Sequence, residues 1–409
     1  MTIVHLAMDL VLEAGASMRG AAAALELMVE RLGLDWITPS FGAIRSWLLR
    51  VGCHALTCAL PSGAWVWLAD HTVQIGPCKL LVIMGCLLSD VPLGERPLRT
   101  SDLRLVHLSL MEHSTSATVA KELEIACQRT GTPRQIVSDN GSDLNGAVTL
   151  FQANHAGVAH VHDPAHLAAN VLKQRWTKDD RWSSFVARLA QTGSKLRQTR
   201  AAHYVAPKIR AKARFMNVGP TLRFANRLLK LLDTSTPNAR VEEHYAWLRD
   251  YRESLRNWTS EHAVAEATVA HVRTHGVGLE TDLTLEQACA DVEWTPGALE
   301  VATQLQRVIC AEGEQAKPGE PLVASTEALE STFGKLKRLE GSYSGDGFTG
   351  MALVTGVLVD SRTEEDVRAA LEAVPKKEAE NIIRKVLGTT VHMFRRLFVA
   401  GEKSVPNPG

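Results

Sequence analysis

Three apolar or alternating runs of strand length stand in a row at residues 64–68, 80–88 and 103–110, separated by turn residues. The period then changes. Residues 116–129 carry an amphipathic helical pattern, 135–138 a short apolar run closed by the turn pair Asn140-Gly141, 143–154 a second helix and 158–162 a last short strand. The order is βββ-α-β-α-β. Strands followed by helix–strand alternation place this stretch in the α/β class.

The flanks are helical. In residues 1–62, apolar positions recur at helical spacing over 14–32 with Gly33 as a stop. A second helix follows the start signal Thr38-Pro39-Ser40, with Ile44, Trp47, Leu48 and Val51 on one face. Two helices around a turn, the second with a buried Trp, are compatible with a helix-turn-helix or with a plain helical cap. From 164 to about 311 only helical periodicity is found, with Trp176, Trp182, Trp247, Trp258 and Trp294 along it. A helix spans 325–339, a Gly/Ser-rich loop 341–350, and 351–359 and 365–373 again read as helices. The expected organisation is a helical N-terminal region (1–62), the first part of an α/β domain (63–175), an all-α insertion (176–322), and the second part of that domain with C-terminal helices (323–409).

Hydrophobic residues are 45% of the 409 and charged residues 22%, enough for a core and against wholesale disorder. The longest apolar run, 80–88, is too short to span a bilayer. Seven cysteines without framework spacing fit a reducing cytosol, and the N-terminus lacks the basic flank of a signal peptide. The net charge of zero hides a sharp asymmetry. Residues 164–230 hold 15 Lys/Arg against 2 Asp/Glu, net +13, and residues 231–330 hold 7 against 18, net −11. A basic block of this size suits a polyanion; it also suits two faces that pair with each other.

Asp70 closes the run Trp65-Val66-Trp67-Leu68-Ala69, and Asp139 follows Gln135-Ile136-Val137-Ser138. A lone carboxylate at the end of an apolar strand is expected to have a metal or ion-pair partner, or to serve as an Asx turn or cap. Two such acids side by side repel, and a divalent metal relieves the repulsion; all-oxygen ligation suits Mg²⁺ or Mn²⁺. On the helix at 325–339, Leu329, Phe333 and Leu336 form an apolar stripe. Glu330 flanks that stripe, whereas Glu327 sits in the first turn where the helix dipole explains an acid. Lys335, Lys337 and Arg338 follow on the same helix, placed to hold a phosphate backbone. His160, His162 and His166, and separately Cys53, His54 and Cys58, are weaker zinc alternatives.

In this setting Asp70, Asp139 and Glu330 resemble the Asp-Asp-Glu triad of ribonuclease H-like DNA transposases. The string Thr326-Glu327-Ala328-Leu329-Glu330-Ser331 is similar to the motif around the catalytic Glu of bacterial Mutator-like transposases, which maps that Glu to Glu330. Asp163 and His166 match the Cys/Asp-x-x-His motif that Mutator-like and hAT-type transposases carry between the second Asp and the Glu. The 191 residues from Asp139 to Glu330 agree with the all-helical insertion of those families. The resemblance implies a ribonuclease H-like catalytic domain, interrupted by that insertion. It implies two Mg²⁺ or Mn²⁺ ions on Asp70, Asp139 and Glu330, with Asp163 and His166 organising the site. It also implies double-stranded DNA, at transposon ends and at the target, as partner, a homodimer or higher oligomer because two ends must meet, and a bacterial cytoplasmic, nucleoid-associated setting without membrane. Two rivals remain: a ribonuclease H-like nuclease acting on RNA or branched DNA, and a domesticated transposase acting as a DNA-binding regulator.

The expected DNA-binding residues are Lys173, Arg175, Lys195, Arg197, Arg200, Lys208, Arg210, Lys212 and Arg214, joined by Lys335, Lys337 and Arg338; Trp176 and Trp182 are candidates to stack on an extruded base. Each phosphate contact adds about −0.9 to the slope of log K against log salt. Replacing Arg210, Lys212 and Arg214 together with Ala is expected to weaken binding to all DNA sequences alike and to flatten that slope; an unchanged slope in salt-titrated binding moves the DNA surface elsewhere.

Overall fold

Residues 1–75, 78–209, 214–234, 238–341, 349–359 and 362–388 are described in the computed structural model, and of 73–75, 214, 340 and 341 the backbone alone. Two compact units divide the chain. The first joins Met1–Pro92, Leu98–His160 and the chain from Thr326 onward; the second consists of Leu93–Pro97 and Val161–Ser325.

In the first unit, α1 (Thr2–Leu12), α2 (Met18–Leu32) and α3 (Phe41–Thr57) come first. Their ends follow local chemistry. The hydroxyl of Ser17 accepts the Gly20 N–H at 3.0 Å, that of Ser40 the Ala43 N–H at 3.2 Å, and Gly33 closes α2 in the left-handed region at φ 62°. On α3, Ile44, Leu48 and Val51 are buried, but Trp47, expected to be buried, is only half so. This helix packs along the 3-10 segment Gly350–Val357 and against α14 (Glu364–Ala373) and α15 (Lys376–Leu387). The expected helix at 351–359 is thus a 3-10 segment, buried along its whole length.

Five strands form one sheet: β1 (Trp65–Ile75), β2 (Cys78–Leu87), β3 (Arg104–Met111), β4 (Gln135–Ser138) and β5 (Ala159–His162), in the order β3-β2-β1-β4-β5. β1 runs antiparallel to β2 and β2 antiparallel to β3, whereas β1 and β4 are parallel, with Val66 opposite Gln135 and Ala69 opposite Ser138. Alternation along β1 sends Trp65, Trp67 and Ala69 to one face. There they meet Val119, Leu123 and Ala126 of α4 (Ser116–Thr130) and Leu144, Ala147, Val148 and Phe151 of α5 (Ser142–Asn154) in one apolar cluster. Each such large side chain contributes about 1.5–3 kcal/mol by leaving water. None of the described residues of α13 (Glu327–Gly341) belongs to this cluster, although α13 packs on β1, which puts that helix on the opposite face. Arg129, near the end of α4, donates to the carbonyls of Leu105 and Val106 in β3 and of Ala55 and Cys58 at the end of α3. Burial lowers the pKa of this guanidinium, and the four acceptors keep it satisfied.

The second unit is helical: α6 (Pro164–Trp176), α7 (Asp180–Leu196), α8 (Gly219–Leu232), α9 (Ala239–Tyr245), α10 (Arg252–His275), α11 (Thr281–Ala288) and α12 (Pro296–Gly313). Its core holds an aromatic group in which Trp182 stands 4.5 Å from Trp176 and 5.0 Å from Trp258, ring centre to ring centre, with Phe185 and Phe215 around them. No helix among the described residues is long and apolar enough to cross a membrane.

Gly52, on α3, packs tightly on the 3-10 segment: a Cβ there would run into the carbonyl of Leu353. Gly52→Ala is expected to cost about 1–3 kcal/mol through forced separation of α3 from the 3-10 segment. The urea midpoint should fall with an unchanged m-value.

Candidate active site

The parallel ladder between β1 and β4 reaches its last pair at Ala69 and Ser138, and Asp70 and Asp139 are the next residue on each strand. Neighbouring strands lie about 4.8 Å apart, so the ladder delivers two carboxylate-bearing residues to adjacent positions. Ala69 belongs to the cluster under α4 and α5, so Asp70, the next residue of β1, points to the opposite side, the side of α13; Asp139 follows the end of β4 and lies in the turn into α5. Both acids are half-buried. Asp70 was expected to end its strand; instead β1 continues to Ile75, because its antiparallel ladder with β2 persists after the pairing with β4 stops. Asp70 Oδ1 accepts the backbone N–H of His71 at 2.6 Å, and Asp139 Oδ1 accepts that of Gly141 at 3.0 Å, an Asx turn into α5.

α13 begins at Glu327 and seats Leu329, Phe333 and Leu336 inward. Glu327 is exposed at the first turn, whereas Glu330, whose N–H donates to the Thr326 carbonyl at 3.0 Å, is half-buried. The helix packs on β1, the strand of Asp70. Further along, Lys337 is exposed, Lys335 Nζ lies 3.9 Å from Glu13, and the Arg338 guanidinium rests against Gly15. Asp70 on β1, Asp139 just after β4 and Glu330 on α13 thus belong to one unit, but their carboxylate oxygens do not all converge within 4.8 Å of one another.

On the other side of the sheet end, a polar network escaped the sequence reading. Lys79 Nζ is 2.9 Å from Asp143 Oδ2, Ser114 Oγ donates to the same oxygen at 2.7 Å, and the Ser114 hydroxyl also meets His71 Nε2 at 3.0 Å. Burial would raise the pKa of Asp143, but the hydrogen bonds from Lys79 and Ser114 and the nearby charges of His71 and Lys79 outweigh it and hold the carboxyl at about 2. Burial pushes the His71 imidazole down; Asp143 opposes this, Lys79 adds to it, and Asp139 opposes it. His71, directly after Asp70, is therefore a neutral donor/acceptor at neutral pH, tied to the loop before α4 and to the first turn of α5. Sequence offered one signal here, Asp143 in a helix first turn, and the dipole already accounted for it.

The remaining expected residues belong to the second unit. Asp163 is the N-cap of α6: its Oδ1 accepts the N–H groups of Ala165 and His166 at 2.8 and 3.1 Å and lies 3.3 Å from His166 Nδ1. It is 1% exposed, so His166 is held by a buried acid. His162 is engaged by Glu312, whose two oxygens take the backbone N–H at 3.2 Å and ring Nδ1 at 2.5 Å, while in the first unit His160 Nε2 meets Ser138 Oγ at 2.8 Å. The three histidines read as a zinc alternative thus each have a separate hydroxyl or acid. Cys53, from the second zinc alternative, is a buried thiol pushed up to about 12 by burial and Glu378.

Lys173, Lys195, Arg197, Arg200 and Lys208 are exposed. Arg210 and Lys212 lie outside the described residues, as does the side chain of Arg214. Arg175, expected on DNA, is committed elsewhere: it pairs with Glu261 at 3.1 Å and with Glu300. Trp176 and Trp182, expected as stacking candidates, are 2% and 3% exposed, enclosed by the aromatic group of the second unit, and Trp176 Nε1 donates to the buried Glu261. As folded, neither ring presents a face to a base.

No family model matches the chain, and no curated protein sequence matches it. Among solved structures the chain is similar to one described as "Drosophila P element transposase strand transfer complex", at 10% identity and a TM-score of 0.43, covering 89% of this chain and 92% of that one.

The Asp143 network has a defined pH signature. Its folded pKa lies below the unfolded value of about 3.9. Its contribution to stability is therefore fully present above that value and is lost as pH falls through the folded one. Asp143→Asn is expected to be less stable than wild type at about pH 5–7, with the gap closing between about pH 4 and 2; urea midpoints measured across that range check it, and a gap independent of pH would show the carboxylate charge to be irrelevant.

Proposed function

We propose that the chain is a metal-dependent DNA transposase whose first unit is a ribonuclease H-like catalytic domain, resembling bacterial Mutator-like transposases. One observation carries the reading. Asp70 and Asp139 follow the last pair of adjacent parallel strands, and α13, with half-buried Glu330, packs on β1. The strand order β3-β2-β1-β4-β5, with β1 antiparallel to β2 and parallel to β4, supports the fold assignment.

Asp70, Asp139 and Glu330 would hold two Mg²⁺ or Mn²⁺ ions, which supply activation of water or of a 3′ hydroxyl and stabilisation of the leaving oxygen in an in-line displacement at phosphorus. The protein's own task is placement. The β1–β4 ladder fixes two carboxylates on one rigid sheet edge, and burial of Leu329, Phe333 and Leu336 fixes the rotation of α13 and with it Glu330. Asp163, itself 1% exposed, restrains His166, which is assigned a site-organising role. Exposed Lys173, Lys195, Arg197, Arg200 and Lys208 are assigned to the phosphate backbone of double-stranded DNA. Strand transfer needs two DNA ends together, so the working form is a dimer or larger, in a bacterial cytoplasm.

The choice between the two glutamates gives the test. Glu330→Gln keeps size and helix propensity but removes the charge. It is expected to leave folding and DNA binding unchanged and to cut strand cleavage by several orders of magnitude, with Mg²⁺ and with Mn²⁺. Glu327→Gln loses an exposed helix-end charge worth about 0.3–1 kcal/mol and should retain most activity. Cleavage of end-containing DNA by both variants decides: a dead Glu327 variant beside an active Glu330 variant reverses the assignment, and two active variants remove the triad. Cleavage of the RNA strand of a hybrid without strand transfer would turn the assignment to a nuclease.

A further inference from the structure

Away from the three carboxylates, one trio of unlike donors converges in the first unit. Glu124 and Cys127 stand one turn apart on α4, and His155 is the residue that closes α5. A carboxylate oxygen of Glu124, Sγ of Cys127 and a ring nitrogen of His155 lie within 4.8 Å of one another, the one such group among the described residues. The ring is held firmly: Nε2 is 2.9 Å from Glu124 Oε2, Nδ1 is 3.2 Å from Thr132 Oγ1, and the imidazole stacks on Phe151 at 4.2 Å. The His155 and Glu124 side chains are 22% and 44% exposed, so an ion can reach the group from solvent.

We infer that Glu124, Cys127 and His155 form a Zn²⁺ site with three protein ligands and an open fourth position. Zinc takes sulfur at about 2.3 Å and nitrogen or oxygen at about 2.0–2.2 Å in a tetrahedron. Donor–donor separations are then about 3.3–3.7 Å; the Glu124–His155 pair, at 2.9 Å, would open slightly to admit the ion, and all three atoms already lie within 4.8 Å of one another. A thiolate and an imidazole select zinc-like ions over Mg²⁺ and Mn²⁺, so this site is chemically separate from the all-carboxylate one. The second partner of His155 fits: with Nδ1–H donating to the Thr132 hydroxyl, Nε2 turns its lone pair to the metal, the outer-shell arrangement typical of zinc-bound histidine. The protons balance. Zn²⁺ replaces the Nε2–H···Glu124 hydrogen bond, the imidazole proton moves to Nδ1, the Cys127 thiol forms a Zn–S bond, and one proton, that of the thiol, goes to solvent. The ion would clamp the last turns of α4 to the C-terminus of α5, the helix whose N-terminus follows the turn at Asp139.

Cobalt titration of the full chain, stripped with chelator, tests this. Co²⁺ is expected to produce a thiolate-to-metal charge-transfer band in the near ultraviolet with tetrahedral visible bands, displaced by Zn²⁺ but not by excess Mg²⁺. Cys127→Ala should lack the band and His155→Gln should lower Co²⁺ affinity at least about tenfold, while both retain wild-type circular dichroism. Cys58→Ala and Asp139→Asn should keep the band. No thiolate band in the wild-type chain, a band undiminished in Cys127→Ala, or its loss in Asp139→Asn would overturn the site.

Discussion

Backbone hydrogen bonds between β1 and β4 decide where Asp70 and Asp139 stand. A parallel pair has one register in which both apolar faces stay covered, and slipping it by one residue turns every side chain to the wrong side. Here that register ends at Ala69 and Ser138. Two acids are thereby set at the ends of one ladder by forces unrelated to charge: the burial of Trp65, Trp67 and Ile136 under α4 and α5. On the reverse side, the same strand end carries a compensated arrangement, in which Lys79 and Ser114 satisfy Asp143. Carboxylates a few residues apart thus sit in different surroundings: Asp143 is held strongly ionised by side-chain hydrogen bonds, whereas Asp70 and Asp139 accept backbone N–H groups.

Much of the first unit was legible in the sequence because its signals are local. β4 was read as 135–138 and is found there, since a four-residue apolar run ending in an Asn-Gly turn admits few other shapes. Gly33 and Ser40 mark helix ends by bonds to residues at most four away, whereas the helix read from 14 starts only at Met18, after the Ser17 cap. β1 was read too short because His71 and Thr72 look like the end of an apolar run; only the partner strand shows that the ladder continues. Fates set by distant residues were illegible. Arg175 looked like a phosphate contact until Glu261 and Glu300 came beside it from 86 and 125 residues away. Trp176 and Trp182 read most simply as helical core, with base stacking as the alternative, and their burial agrees with the core. Lys79, Ser114 and Asp143 lie 29 to 64 residues apart, so their convergence was invisible in one dimension.

The charge asymmetry between 164–230 and 231–330 resolves into two populations. Some charges cancel inside the second unit, as Arg175 does with Glu261 and Glu300, and Arg249 with Glu242. Others, such as Lys173, Lys195, Arg197, Arg200 and Lys208, stay exposed. A basic block is therefore not one surface, and the positively charged area open to a polyanion is smaller than the formal +13 suggests.

The bond between His162 and Glu312 bears on how such a chain reaches its native state. The chain leaves the first unit after His160 and returns at Thr326, so β5 and α13 are joined through a 165-residue excursion. Closing a flexible loop of that length carries a large entropic penalty before α13 can settle on the sheet. Once the helical unit is formed, its second residue is tied to Glu312, close to its exit, and the span still to be closed shrinks to roughly fifteen residues. On the logarithmic scaling of loop closure this lightens the step by about 2 kcal/mol. Early folding of the excursion would then act as a splint for the interrupted sheet, and the long insertion would speed, rather than delay, the arrival of the last carboxylate.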